Sequence, residues 1–306
     1  MNALSGLRLV DAHHHFWDPV AHYYPWLCDA GRPPHRYGDH AAICRPYLPA
    51  DYLRDTAAFD LVGSVYVEAE WDPRDPIGEM RFIEGLRRQR GSPTVAVAQA
   101  WLDQPDIEST LQQLAAFAFV RGIRHKPRAN ALPGDANPGG MMDSEWRRGY
   151  ALLAAHGLHF ELQTPWWHLH EGEQLARDFP GTPIVINHTG MPPSDRGDEG
   201  MAGWRRAMSC IAQCPNVFVK ISGIGQAGGR WSIDANRHVV RETIEIFGAQ
   251  RCMFASNYPV DSLCASFEDI FLGFAAMVTD LSVEEKRWLF CDNALLFYRM
   301  DAVQGV

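Results

Sequence analysis

No apolar run in this 306-residue chain approaches the roughly 18 residues that span a bilayer, which excludes a helical membrane protein. No tract rich in Lys or Arg is present and the formal charge is -9, which argues against a nucleic-acid surface and leaves small molecules as the expected partners. No basic-then-apolar leader opens the chain, and its seven cysteines are odd in number and scattered, so a reducing cytoplasm is the expected compartment. Cys210 and Cys214 stand four apart on an expected helix, not at the short-turn spacing of a zinc knuckle, and read as structural. No glycine-rich phosphate turn follows the first apolar run, and no G-x-S-x-G elbow occurs anywhere, so neither a dinucleotide-binding open sheet nor a covalent serine mechanism is favoured.

What is present is a rhythm. Eight short β-branched or apolar runs recur: 7–15 (LRLVDAHHH), 62–69, 94–101, 119–126, 158–164, 183–189, 217–223 and 251–257. Amphipathic stretches such as IGEMRFIEGLRRQ, DSEWRRGYALLAAH and NRHVVRETIEIFG lie between them, and SVEEKRWLFCDNALLFY comes near the end. A strand–helix unit repeated eight times closes a barrel, so the expected fold is α/β, a (β/α)8 TIM barrel, with residues 1–306 forming one domain. Two long segments, after the first run and after the fourth, are expected as loops over the C-terminal face.

In such a barrel the C-terminal strand ends converge on the active site, and here they end in polar residues. Alternation puts His13 and His15 on one face, with Asp11 beside them and His14 turned away. A paired imidazole at a strand end suits zinc or a hydrogen-bonded anion. Further candidates at strand ends are Glu68, Arg124, Gln163, His188, Lys220 and Asn257, with Asp261 four residues on. Trp166 and Trp167, at the turn after the fifth run, are expected to wall the pocket. Arg124 and Lys220 would make that pocket locally positive and suited to a carboxylate or a developing oxyanion.

The motifs VDAHHHFWDP, VRGIRH, VINHTG, PNVFVKISG and RCMFASNYPVD, in that order and followed by NALLFYRM, resemble the amidohydrolase superfamily, specifically its lactonase-like branch of sugar-acid lactonases and 2-pyrone-4,6-dicarboxylate lactonase relatives. The resemblance runs through nearly the whole chain and implies opening of a lactone by water. It implies His13, His15 and His188 as the groups that bind a carbonyl oxygen or a divalent metal, with Arg124 and His125 at the fourth-strand motif. In these lactonases the eighth strand usually carries an aspartate in a GSDWPV pattern, whereas this chain has Asn257 in ASNYPV. A carboxamide has no basic lone pair, so the base must lie elsewhere: one of the three histidines ahead of Asp261. Gln163 likewise stands where metal-dependent members carry histidine, so either no cofactor or a weakly held zinc or manganese ion is expected. The rival readings are a metal-dependent nonoxidative decarboxylase of an aromatic or enolic acid, and a catalytically retired barrel that binds a ligand. Barrels of this class often dimerise, so a homodimer is admitted.

Overall fold

The structure, a computed structural model, describes residues 6–31, 35–193, 195, 197–226 and 231–300. Residues 32–34 of the long first loop, and both ends of the expected domain, fall outside that description. Eight parallel strands form one sheet in sequence order: β1 Arg8–His14, β2 Asp60–Val67, β3 Val95–Gln99, β4 Val120–Arg124, β5 His159–Leu162, β6 Ile184–Ile186, β7 Val217–Ile221 and β8 Cys252–Phe254. The barrel closes at the strand ends, where the Asn257 amide donates to the His13 carbonyl at 2.8 Å and the His15 amide to the Tyr258 carbonyl at 2.7 Å. The eight expected runs are the eight strands.

A helix follows every strand: Pro49–Asp55, Pro76–Arg90, Ile107–Ala115, Ser144–Ala151, Leu169–Asp178, Asp198–Ile211, Ile233–Phe247 and Phe267–Met277. Asp75, Ser232 and Ser266 cap three of them by accepting backbone amides of the first turn. The helix Phe267–Met277 escapes a periodicity reading because it is apolar nearly all round. Phe267, Ile270, Phe271 and Phe274 are all buried, and Phe274 stacks on Phe254 of β8 at 4.4 Å. The expected long C-terminal helix is divided: Val283–Arg287 and Asn293–Phe297 flank a π-helical turn at Trp288–Asp292.

Two apolar layers result. One lies between strands and helices, and the other fills the lower barrel with Val10, Val65, Val97, Val185, Met253 and Ala255. Above that plug the interior turns polar, most visibly along β5, where His159 and Glu161 precede Gln163 at every second position. Gly122 of β4 makes room for this: a Cβ there would sit 2.3 Å from Nε2 of His159.

One expectation fails within β1. The pairing with β2 shifts between Asp11 and His14, where three residues of β1 span two of β2. The bulge breaks the alternation, so Asp11 does not share the face of His13 and His15. Asp11 accepts from Tyr52 of the first outer helix at 2.9 Å and from the Ser256 amide and hydroxyl at 2.8 and 2.7 Å. It thereby locks β1 to the turn after β8, on the side where His14 stacks against Tyr52 at 4.4 Å.

Candidate active site

A cavity of about 320 Å³ opens at the C-terminal ends of the strands. Its floor is built by His15, Arg124, Gln163, His188 and Asn257, from β1, β4, β5, β6 and β8 or the residues just past them. The long loop after β1 folds over it and supplies Trp26, His35, Arg36 and His40. Trp26 is fixed there by its indole N–H, which donates to the Ala69 carbonyl at 2.8 Å.

Backbone strain gathers at the same place. Glu70, His188, Thr189, Met191 and Asn257 all hold positive φ between 52° and 57°, a conformation that costs a non-glycine residue on the order of 1 kcal/mol or more. At His188 this turns the side chain inward directly after β6, and the turn is held by Trp204, whose indole donates to the Thr189 carbonyl at 2.7 Å. Gly223, past β7, is needed for the approach: a Cβ there would lie 2.4 Å from His188 Nδ1 and 2.5 Å from an Arg36 nitrogen.

Three imidazoles cluster here, two at the floor and one behind it, with ring centres 5.0 Å apart for His13 and His15 and 4.8 Å for His13 and His188. His15 Nδ1 is 2.7 Å from the Val67 carbonyl, so it carries the proton and Nε2 keeps its lone pair. His188 Nδ1 lies 2.9 Å from Ser222 Oγ. Burial holds both imidazoles well below the usual histidine range; the Arg124 guanidinium adds to this at His15, and those of Arg36 and Arg124 add to it at His188. Both are therefore neutral at pH 7. His13 lies behind them, fully buried, with neither ring nitrogen hydrogen-bonded among the described residues, and burial followed by the Lys220 charge lowers its pKa as well.

Neutral imidazoles with unused lone pairs are suited to a divalent metal, and the orphaned His13 nitrogens are what a ligand residue leaves behind. The rest of the donor set does not follow. Among the described residues no group of three or more His, Cys, Asp or Glu side chains is arranged to hold a metal ion, and the position after β8 offers the Asn257 carboxamide. The residues present do not make a closed metal site.

The charges around the cavity are mostly committed. Arg124 pairs through Nε with the buried Glu68 carboxylate, and its Nη1 donates to Gln163 Oε1 at 3.1 Å. Lys126 pairs with Glu70 at the half-open rim. Arg36 is the lining Lys or Arg side chain without an ion-pair partner among the described residues; it lies over the Tyr37 ring at 4.8 Å. Behind Asn257 sits Asp261, whose Oδ1 accepts from Asn257 Nδ2 at 2.6 Å and from Tyr37 Oη at 3.1 Å. Burial raises the Asp261 carboxyl to about 6 against the opposing pull of Arg36, Asn257 and Tyr37.

The structure thus brings His13, His15, His188, Asn257, Asp261, Arg124 and Gln163 together and places four other candidates elsewhere. Glu68 is buried under Arg124 and does not line the cavity. Lys220 points into the barrel interior one pleat below Ser222, with Nζ 2.8 Å from Glu161 Oε2. Trp166 and Trp167 line a neighbouring groove that meets the cavity at Arg36 and Met191. Arg36 and Tyr37 escape a reading of strand ends because they belong to a loop; its length and aromatic content are the signal that something folds over the site.

The family profile described as amidohydrolase matches residues 10–300. Protein y4mH of Sinorhizobium fredii is 39% identical over 302 residues, covering 97% of this chain and 100% of that one. The L-fucono-1,5-lactonase of Burkholderia ambifaria is 28% identical over 303 residues, covering 97% of each chain. Among solved structures, an amidohydrolase from Burkholderia multivorans with bound zinc superposes with a TM-score of 0.80 at 25% identity, covering 96% of this chain and 99% of that one.

Proposed function

Because the chain belongs to the amidohydrolase family and is an enzyme of hydrolase type, we propose that it opens a lactone or related cyclic ester by attack of water. The observation that carries this reading is the pair of neutral imidazoles, His15 and His188, opening on a cavity beside Arg36, which has no ion-pair partner among the described residues. Similarity to an L-fucono-1,5-lactonase supports the same reaction class.

In this reading His188 is the general base. With Nδ1 donating to Ser222 Oγ, Nε2 faces the cavity and takes a proton from water as its oxygen attacks the ester carbonyl carbon. The C=O electron pair moves to oxygen, and Arg36, with His15 Nε2 left to hold the water, stabilises the resulting anion. When the tetrahedral adduct collapses, the ring C–O bond breaks and the imidazolium returns its proton to the leaving alkoxide. The product is a hydroxy acid; its carboxyl proton passes to solvent, leaving a carboxylate beside Arg36. A depressed imidazole pKa keeps the base unprotonated before attack, and the neighbouring anion favours its protonated form during it. Asp261 acts through Asn257, holding the carboxamide so that its oxygen faces the water. No step is assigned to a metal, because the residues present do not form a closed site for one.

A pH-indicator assay over sugar-acid lactones, muconolactones, pyrone carboxylates and simple alkyl or aryl lactones tests this reading. Turnover of at least one class by the purified protein, abolished in His188→Ala, supports it; no turnover across the panel removes it.

A further inference from the structure

Arg36 and Met191, which line the cavity, also border a second groove of about 530 Å³ that runs over the turn after β5 and the turn after β6. Its walls are Leu132 and Pro133 on one side, Trp166 and Trp167 at the base, and Pro192 and Pro193 opposite. Resting on the proposed lactone opening, we propose that the substrate has two parts: a lactone ring in the histidine cavity and an apolar alkyl or aryl substituent lying in this groove.

Three observations carry the proposal. First, the groove adjoins the catalytic cavity, the two sharing Arg36 and Met191 as lining residues, so a substituent on the reacting ring has only to pass these two side chains to enter it. Second, its chemistry is apolar: Arg36, at the junction, and Asp195 are its charged lining residues among those described, and the Trp167 indole N–H is already spent on the Asn130 carbonyl at 3.0 Å. A hydroxylated sugar substituent would find few polar partners along the Leu132, Pro133, Pro192 and Pro193 stretch, whereas an alkyl or aryl group loses nothing there. Leu132, 71% exposed, adds an accessible apolar side chain to that wall.

Third, the wall carrying Leu132 is held in place from beneath. The Asn130 amide donates to His168 Nε2 at 2.9 Å, and the Gly139 amide donates to Glu171 Oε1 at 2.6 Å, both acceptors being buried side chains. His168 and Glu171 are themselves in contact at 3.2 Å, so two points of the loop after β4 are anchored to one buried pair. An anchored wall binds a substituent without first having to be ordered.

The experiment compares kcat/KM for an unsubstituted lactone, its hexyl- or phenyl-substituted analogue, and a sugar lactone of the same ring size, in the native protein and in Leu132→Asp and Trp167→Ala. Leu132 is exposed, so the first variant leaves the fold intact. The expected native preference for the substituted over the unsubstituted ring is about tenfold or more, carried mainly by KM, and that ratio falls by about tenfold in either variant. A substituted lactone handled no better than its parent, or a ratio unchanged by both substitutions, overturns the two-part substrate while leaving lactone opening in place. A sugar lactone preferred over the substituted ring also overturns it. Absence of turnover with every lactone removes the underlying reading and this inference together.

Discussion

Glu161 and His13 are equally buried inside the barrel, yet their surroundings are opposite. Glu161 is approached by four groups: His159 Nε2 at 3.3 Å, Tyr298 Oη at 2.6 Å, Lys220 Nζ at 2.8 Å, and Asn187 Nδ2. His13, higher in the barrel, has no hydrogen bond to either ring nitrogen among the described residues, and its neighbours His15 and His188 each direct one nitrogen toward the cavity. The lower group holds the fold because its bonding capacity is used. The upper group leaves its capacity unused among the described residues, directly behind the two imidazoles that line the cavity.

The energetics of the lower pair fit that division. Burial alone would raise the Glu161 carboxyl, but Lys220 and His159 hold it at about 2, below its ordinary 4.5. That contributes about 3 kcal/mol above pH 4.5, lost as pH falls toward 2. Lys220 runs the other way: burial lowers it from 10.5 to about 8 despite Glu161, a cost of similar size at pH below 8 that disappears as pH rises toward 10.5. The two nearly cancel, so the pair adds little net stability, but removing one partner strands the other.

The contrast can be broken most forcefully from above. His188→Asn keeps a polar atom near the Nδ1 position, tolerates the positive φ and removes the base, so kcat is expected to fall about 10²- to 10⁴-fold in the lactone assay, with the melting temperature little changed. From below, Lys220→Met is expected to destabilise the protein by about 3 kcal/mol, a shift of several degrees in thermal melting. The double variant Glu161→Gln/Lys220→Met should recover part of that loss, because no charge is then left unpaired and the carboxamide oxygen still accepts from Tyr298 Oη. At the boundary of the site, Arg36→Gln is expected to lower kcat/KM about 10- to 100-fold without a change in melting, the loss of one charge-assisted contact.

Smaller effects sharpen the picture. Because Asp261 is an anion only above about 6, its hold on Asn257 weakens as pH falls through that value. The pH–rate profile should therefore show an acid limb near 6, displaced in Asp261→Asn. Smallest of all, a chelator should leave kcat/KM unchanged, since the described residues form no closed metal site; a loss restored by zinc or manganese would show that the imidazoles rearrange around an ion.

The same division explains what the sequence reveals. The eight strands are legible because each is a short β-branched run bounded by helical periodicity, and His13, His15, His188 and Asn257 are legible because barrel strand ends converge. The position of Asp11 is not, since a bulge cancels the alternation that placed it beside His13. Lys220 looks like a pocket cation until its register with Glu161 is known; the carboxylate that claims it lies 59 positions away in the chain. Arg36 depends on how a long loop folds back over the barrel, and nothing in local pattern sets that path. Trp166 and Trp167 follow a strand end as expected, but the turn after β5 carries them into the adjoining groove.

The most direct test is a crossed one, measuring kcat/KM and melting temperature together for His188→Asn and Lys220→Met with a lactone the native protein turns over. The account predicts opposite losses: His188→Asn inactive but as stable as the native protein, and Lys220→Met melting several degrees lower yet active where it remains folded. An inactive Lys220→Met with unchanged melting, or an active His188→Asn, would contradict it.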